Sequence, residues 1–167
     1  NFVKAGYPKD AEAMMIVELD GTETEVEELI EKVSKIAKKN KSSSIKISKN
    51  EKQRLQFWAG RKAAFPACGA ISPDYMCMDG TIPRKKLADV LQEISRLAKK
   101  YNLNVANAFH AGDGNLHPLI MYDSNEKDSL EKTEKFGADI LKYCVKVGGV
   151  LTGEHGVGIE KRELMCE

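Results

Sequence analysis

"NLNVANAFHAGDGNLHPLIMYD", residues 102–123, reads as two apolar strands folded back around Gly112-Asp113-Gly114. Asp-Gly is a favoured pair at the centre of a type I′ hairpin turn. Centring the turn on Asp113-Gly114 pairs Gly112 with Asn115, Ala111 with Leu116 and His110 with His117. Directly opposed residues of an antiparallel ladder share a face, with Cβ atoms about 4.5–5.5 Å apart. This register sets two of the chain's three histidines side by side, with Asn115, Ala106 and Ala108 on the same face. Two imidazoles so placed can converge on one metal ion, whereas a one-residue slip would put them on opposite faces.

Outward from the hairpin, helical periodicity alternates with short apolar runs. "PRKKLADVLQEISRLAKKY" (83–101) predicts a helix with Pro83 near its first turn, and 125–149 predicts another, stopped by Gly148-Gly149. "TETEVEELIEKVSKIAKK" (22–39) spaces Val26, Ile30, Val33 and Ile36 along one face, acids first and lysines last, as the helix dipole prefers. Residues 50–65 predict a helix with Asn50 as N-cap. "AMMIVELDG" (13–21), "SIKIS" (44–48) and "YMCMDGTIP" (75–83) predict strands. The order β-α-β-α, β-α-β-β-α predicts an α+β fold, a ferredoxin-like antiparallel sheet with helices on one face.

The 167 residues are 42% hydrophobic and 31% charged, with a formal net charge of +1. That balance gives no basic surface for nucleic acid or anionic membrane. Cys68, Cys77, Cys144 and Cys166 form no C-x-x-C, so reduced thiols are expected. No apolar run reaches the roughly 18 residues of a membrane span. The chain opens at Asn1 without Met and stops at "ELMCE", soon after its most glycine-rich segment, which is the pattern of a piece of a longer protein.

That segment, "GGVLTGEHGVGIEKR" (148–162), supplies Glu154 and the third histidine, His155. Flanking glycines allow tight turns and close approach to a ligand. A carboxylate is a common third ligand in open His/His/carboxylate sites, and imidazole is the side chain suited to general-base work near neutrality. The glycine order G-x-x-G-x-G is not the dinucleotide fingerprint G-x-G-x-x-G, and no P-loop is present. Arg61, in "WAGRKAAFPA", offers a fork for a substrate carboxylate.

"RKAAFPACGAISPDYMCMDGTIPRKKL", the H-x-G-D-G-N-x-H of the hairpin and "GGVLTGEHGVGIEKRELM" together resemble the C-terminal part of FAD-linked 2-hydroxyacid oxidases, nearest the glycolate oxidase D-subunit branch. D-lactate and D-2-hydroxyglutarate dehydrogenases are relatives. The resemblance implies that residues 1–167 are the C-terminal cap, or substrate, domain of a chain whose N-terminal domain binds FAD. It implies His110, His117 and Glu154 as ligands of a divalent metal, zinc being one candidate. It further implies His155 as the proton acceptor and Arg61 as the carboxylate-binding arginine; Asn115, on the histidine face of the hairpin, is expected as a further substrate contact. Where the hydroxyglutarate branch holds a distal carboxylate with polar groups, this chain has Phe65 and Leu119, which favours a small monocarboxylate such as glycolate or D-lactate.

Implied partners are the chain's own FAD domain and other oxidase subunits, including an iron–sulfur subunit. The implied location is the cytoplasm, at the inner face of the membrane through those subunits. Without its flavin domain the chain is not expected to turn over. The other readings are a non-catalytic metal- or ligand-binding α+β module and an interaction domain that pairs through a sheet edge.

Overall fold

The fold is described from a computed structural model, which covers residues 3–8 and 10–166. It divides into two compact units, 1–63 and 64–167.

The N-terminal unit carries two helices whose starts are written locally. Helix α1 (Glu23–Lys39) begins at a capping box: the Thr22 N–H donates to Glu25 Oε2 at 2.9 Å, and the Glu25 N–H reaches back to Thr22 Oγ1 at 3.5 Å. Helix α2 (Glu51–Lys62) is capped by Asn50, whose Oδ1 accepts from the Gln53 N–H at 3.0 Å. The two strands expected at 13–21 and 44–48 do not form: both segments lie outside any ladder among the described residues. Their apolar side chains are exposed, Met15 at 71% and Ile47 at 51%. Apolar content makes a strand only where a partner supplies the ladder, and none is provided here.

The C-terminal unit holds the sheet and the core. Helix α3 (Ala64–Gly69) leads to β1 (Asp74–Cys77), then β2 (Gly80–Thr81). A 3₁₀ turn at Arg84–Lys86 opens α4 (Leu87–Tyr101), followed by β3 (Asn104–Asn107), β4 (Asn115–Leu116), β5 (Pro118–Tyr122) and α5 (Ser129–Lys146). The main sheet is antiparallel in the order β1-β5-β3, and β2 pairs with β4 as a separate ribbon. The α+β class is therefore observed. A fourth strand of a ferredoxin-like sheet is not formed among the described residues, because after α5 the chain enters a loop instead.

The register assigns the two faces of this sheet. Met76, Ile120 and Val105 lie opposite one another. They pack with Val90, Ile94 and Leu97 of α4 and Phe136, Ile140, Leu141 and Cys144 of α5 into the core. The other row is Cys77, Leu119 and Ala106. By strand alternation His117 and Ala108 share that second face. The helices thus cover one face, and the histidines arise on the other.

The hairpin turn differs from expectation. The His110 carbonyl accepts from the N–H groups of both Asp113 (3.1 Å) and Gly114 (3.0 Å), and His110 bridges to Asn115 rather than His117. The loop is the four residues 111–114, with positive φ at Gly114 (76°) but not at Asp113, so it is not a type I′ turn. A tertiary contact selects this shape: the Ile82 N–H donates to the Gly114 carbonyl at 2.9 Å. A Cβ on Gly114 would stand 2.1 Å from the Ile82 carbonyl oxygen, so glycine is needed for the approach. The register shift is two residues, which preserves side-chain parity, and His110 and His117 still meet.

Candidate metal and substrate site

Two strand junctions and one loop build the site. His117 sits at the β4–β5 junction and Asp79 at the β1–β2 junction, held together by the Met78 N–H donating to the Pro118 carbonyl at 3.0 Å. The loop after α5 is tied to β2 by reciprocal hydrogen bonds between Thr81 and Val150, at 3.1 and 2.8 Å. It then wraps around Asp79, which is fully buried.

The Asp79 carboxylate organises that loop. Its Oδ2 accepts from the Thr152 hydroxyl (2.6 Å) and from the N–H groups of Gly153 (2.9 Å), Glu154 (3.1 Å) and His155 (2.9 Å). Buried Lys161 joins this cluster, donating to the Asp79 carbonyl at 2.8 Å and lying 3.4 Å from Oδ2. Burial alone would raise the Asp79 pKa, but the Thr152 hydroxyl and the loop N–H groups outweigh it and hold the carboxyl well below the usual range.

The loop so fixed brings Glu154 to the two hairpin histidines. Glu154 Oε1 is 3.7 Å from His110 Nε2, and Oε2 is 3.6 Å from His117 Nε2. One donor atom from each of the three lies within 4.8 Å of the others. Ligands held tetrahedrally at about 2.1 Å are separated by about 3.4 Å, and the two Glu154–histidine separations, each through a different carboxylate oxygen, are within a few tenths of an ångström of that spacing. Cys77, His117 and His155 form a second convergent set. Burial, with help from the Asp79 charge, pushes the Cys77 thiol up to about 11, so that set needs a reluctant thiolate. The imidazole–carboxylate set carries no such cost.

His155 lies flat on His117, with ring centroids 5.1 Å apart and 13° between planes, while its N–H is pinned to Asp79. His117 is buried, and its pKa is lowered chiefly by that burial. Asn115, also buried, has its Nδ2 3.5 Å from His117 Nε2, and its Oδ1 has no hydrogen-bond partner among the described residues. Arg61 is on α2, in the N-terminal unit, so the sheet and loop of the other unit do not by themselves assign its role. Sequence reading passed over Asp79 and Lys161. Asp79-Gly80 looks like an ordinary turn pair, and the partners that bury its carboxylate are 73–82 residues away.

The family model described as FAD linked oxidases, C-terminal domain, matches residues 1–167. The chain belongs to this family. It is 54% identical over 166 residues to the glycolate oxidase subunit GlcD of Escherichia coli K12, covering 99% of this chain and 33% of that protein. The GlcD subunit of Bacillus subtilis is 35% identical over 158 residues, 95% of this chain and 34% of that one. A mitochondrial D-lactate dehydrogenase (cytochrome) of Arabidopsis thaliana is 29% identical over 153 residues, 90% of this chain and 27% of that one. The chain thus spans about a third of the length of the curated relatives it matches. No helix among the described residues is long and apolar enough to cross a membrane.

Proposed function

We propose that this domain binds a small 2-hydroxy acid, glycolate or D-lactate, together with a divalent metal, and presents it to a flavin held by another domain. The observation carrying the reading is the convergence of His110, His117 and Glu154 beside His155. Names of relatives supply the substrate class, and the FAD linked family supplies the cofactor. When bound, the ion would lend Lewis acidity to the hydroxyl and carboxylate oxygens, and FAD would accept the hydride.

The chain's own residues do the rest. His110, His117 and Glu154 hold the ion. Arg61 binds the substrate carboxylate by its guanidinium fork, and Asn115 offers a buried amide contact. His155 takes the hydroxyl proton on its imidazole as the α-carbon becomes a carbonyl carbon. Leu119, fully buried, and Phe65, edge-to-face with Tyr75 at 6.1 Å, are apolar at the two positions where the hydroxyglutarate branch has polar partners for a second carboxylate. That supports a monocarboxylate over a dicarboxylate. Partner subunits, an iron–sulfur subunit among them, and attachment at the inner face of the cytoplasmic membrane belong to the same proposal.

The test uses the intact, flavin-loaded protein. His155→Ala is expected to lower kcat by about 10²–10⁴ with metal content kept. His110→Ala is expected to lose metal and activity together. Elemental analysis beside turnover with glycolate, D-lactate and D-2-hydroxyglutarate separates the roles. Metal loss in His155→Ala would make it a ligand. Metal binding with no turnover of any hydroxy acid by the wild type would leave a binding module.

A further inference from the structure

The two oxygens of Asp79 are unequally occupied. Oδ2 is saturated by the loop that carries Glu154 and His155, as described above. Oδ1 shares only the Glu154 N–H, at 3.2 Å, and lies 4.0 Å from Nδ1 of His117. Nδ1 is buried and has no hydrogen-bond partner among the described residues. Both side chains are almost wholly enclosed, Asp79 at 0% exposed and His117 at 4%.

We propose that Asp79 is the positioning residue of the metal site, fixing His117 with its proton on Nδ1 and its lone pair on Nε2, while clamping the backbone that presents Glu154. The inference rests on the metal reading above. Each ring nitrogen of His117 has a carboxylate oxygen near it, and burial chooses between them: Asp79 is fully enclosed, whereas the Glu154 side chain is 53% exposed and screened by solvent. With the proton on Nε2, the Nδ1 lone pair would face a buried carboxylate oxygen, acceptor against acceptor. With the proton on Nδ1, an N–H faces Oδ1, and closing the gap by about 1 Å makes a charge-assisted hydrogen bond. Nε2 then turns its lone pair toward the Asn115 amide nitrogen, 3.5 Å away, on the side where Glu154 Oε2 lies at 3.6 Å. Metal-bound histidines generally donate their second N–H to a carboxylate or carbonyl, which orients the ring and raises its basicity. Lys161 offsets the Asp79 charge through Oδ2, 3.4 Å from its ammonium, rather than through Oδ1. One carboxylate therefore sets the tautomer of one ligand and the loop of another.

The experiment compares wild type, Asp79→Asn and His110→Ala of the intact protein, titrated with Zn²⁺ alone, with imidazole ¹⁵N spectra of His117. Asp79→Asn keeps size and shape but can turn its amide N–H toward His117 Nδ1, which favours the Nε2–H tautomer. The expected result is zinc affinity weaker by about 10–100-fold and His117 switched from Nδ1–H to Nε2–H in the metal-free protein. A merely structural role would lower the unfolding midpoint and leave the tautomer unchanged, which would overturn the inference. Zinc binding lost in His110→Ala but unchanged in Asp79→Asn would overturn the inference alone. Equal affinity in His110→Ala and wild type would overturn the metal site and this inference with it. Should Asp79→Asn fail to fold, the zinc-loaded wild type decides. Ligation through Nε2 with a hydrogen-bonded Nδ1–H supports the role, and ligation through Nδ1 overturns it.

Discussion

Gly153 is the residue on which the site's spacing depends. A Cβ there would stand 2.4 Å from both Asn115 Oδ1 and Thr81 Oγ1, distances that real Cβ atoms do not reach. Both atoms are buried and belong to the short β2–β4 ribbon, which has little room to yield. Gly153→Ala is therefore expected to lift the loop off the ribbon and carry Glu154 away from the histidines. Overpacking of this kind costs about 1–3 kcal/mol. Urea unfolding midpoints and zinc affinity, measured side by side, check the outcome. A variant with unchanged values of both would mean that the loop accommodates the methyl elsewhere.

At the scale of elements, α4 and α5 are joined across their exposed rim by Asp139. Its Oδ2 accepts from Lys100 Nζ at 2.8 Å and from the Tyr101 hydroxyl at 2.7 Å, and Tyr101 also stacks on Phe136 at 5.4 Å. Partial burial works to raise the Asp139 pKa, but these two donors overcome it and lower the pKa. A depressed carboxylate stabilises the fold above the ordinary range near pH 4, and the gain is lost as pH falls through the lower native value. Asp139→Asn is expected to cost about 0.5–1 kcal/mol at neutral pH, limited by solvent screening. That difference from wild type should shrink toward zero as pH falls from 5 to 2, by denaturant unfolding at each pH. The elements themselves were unequally legible. Caps at Thr22 and Asn50 and the apolar faces of α4 and α5 are local signals, and the structure follows them. Residues 13–21 and 44–48 resemble strands in composition, yet no partner pairs with them among the described residues. The hairpin register moved by two because Ile82, remote in sequence, holds Gly114. His110, His117, Glu154 and His155 were visible because rare residue types clustered around glycines. Asp79 was not, since a buried carboxylate is recognised by its partners rather than its neighbours.

Across the whole chain the two units differ in how much they bury. The N-terminal unit leaves Met14, Met15, Val17, Ile45, Ile47 and Leu55 exposed, and α1 has no buried residue, whereas α5 alone buries seven. In the main sheet β3 pairs with β5 across one hairpin, while β1 reaches β5 from further along the chain. The Asp79 clamp is a different kind of contact, joining residues 73–82 positions apart. Closing a loop of about 80 residues costs roughly 2 kcal/mol more in chain entropy than closing one of about 10. The order of assembly follows: the β3–β5 hairpin can form early, and the clamp must wait until β1 and α5 have docked. In pulse-labelled hydrogen exchange during refolding, the Leu119 amide, which by ladder alternation from the Ala108–His117 and His110–Asn115 pairs faces β3, should gain protection before the amides of Gly153 and His155. Simultaneous protection would show that the clamp closes with the hairpin. A chain released from the ribosome before residue 161 would then carry its histidines in a finished hairpin while still lacking the lysine that locks the loop carrying the glutamate. The capacity to capture an ion would be acquired at the last step of maturation rather than inherited from the sheet.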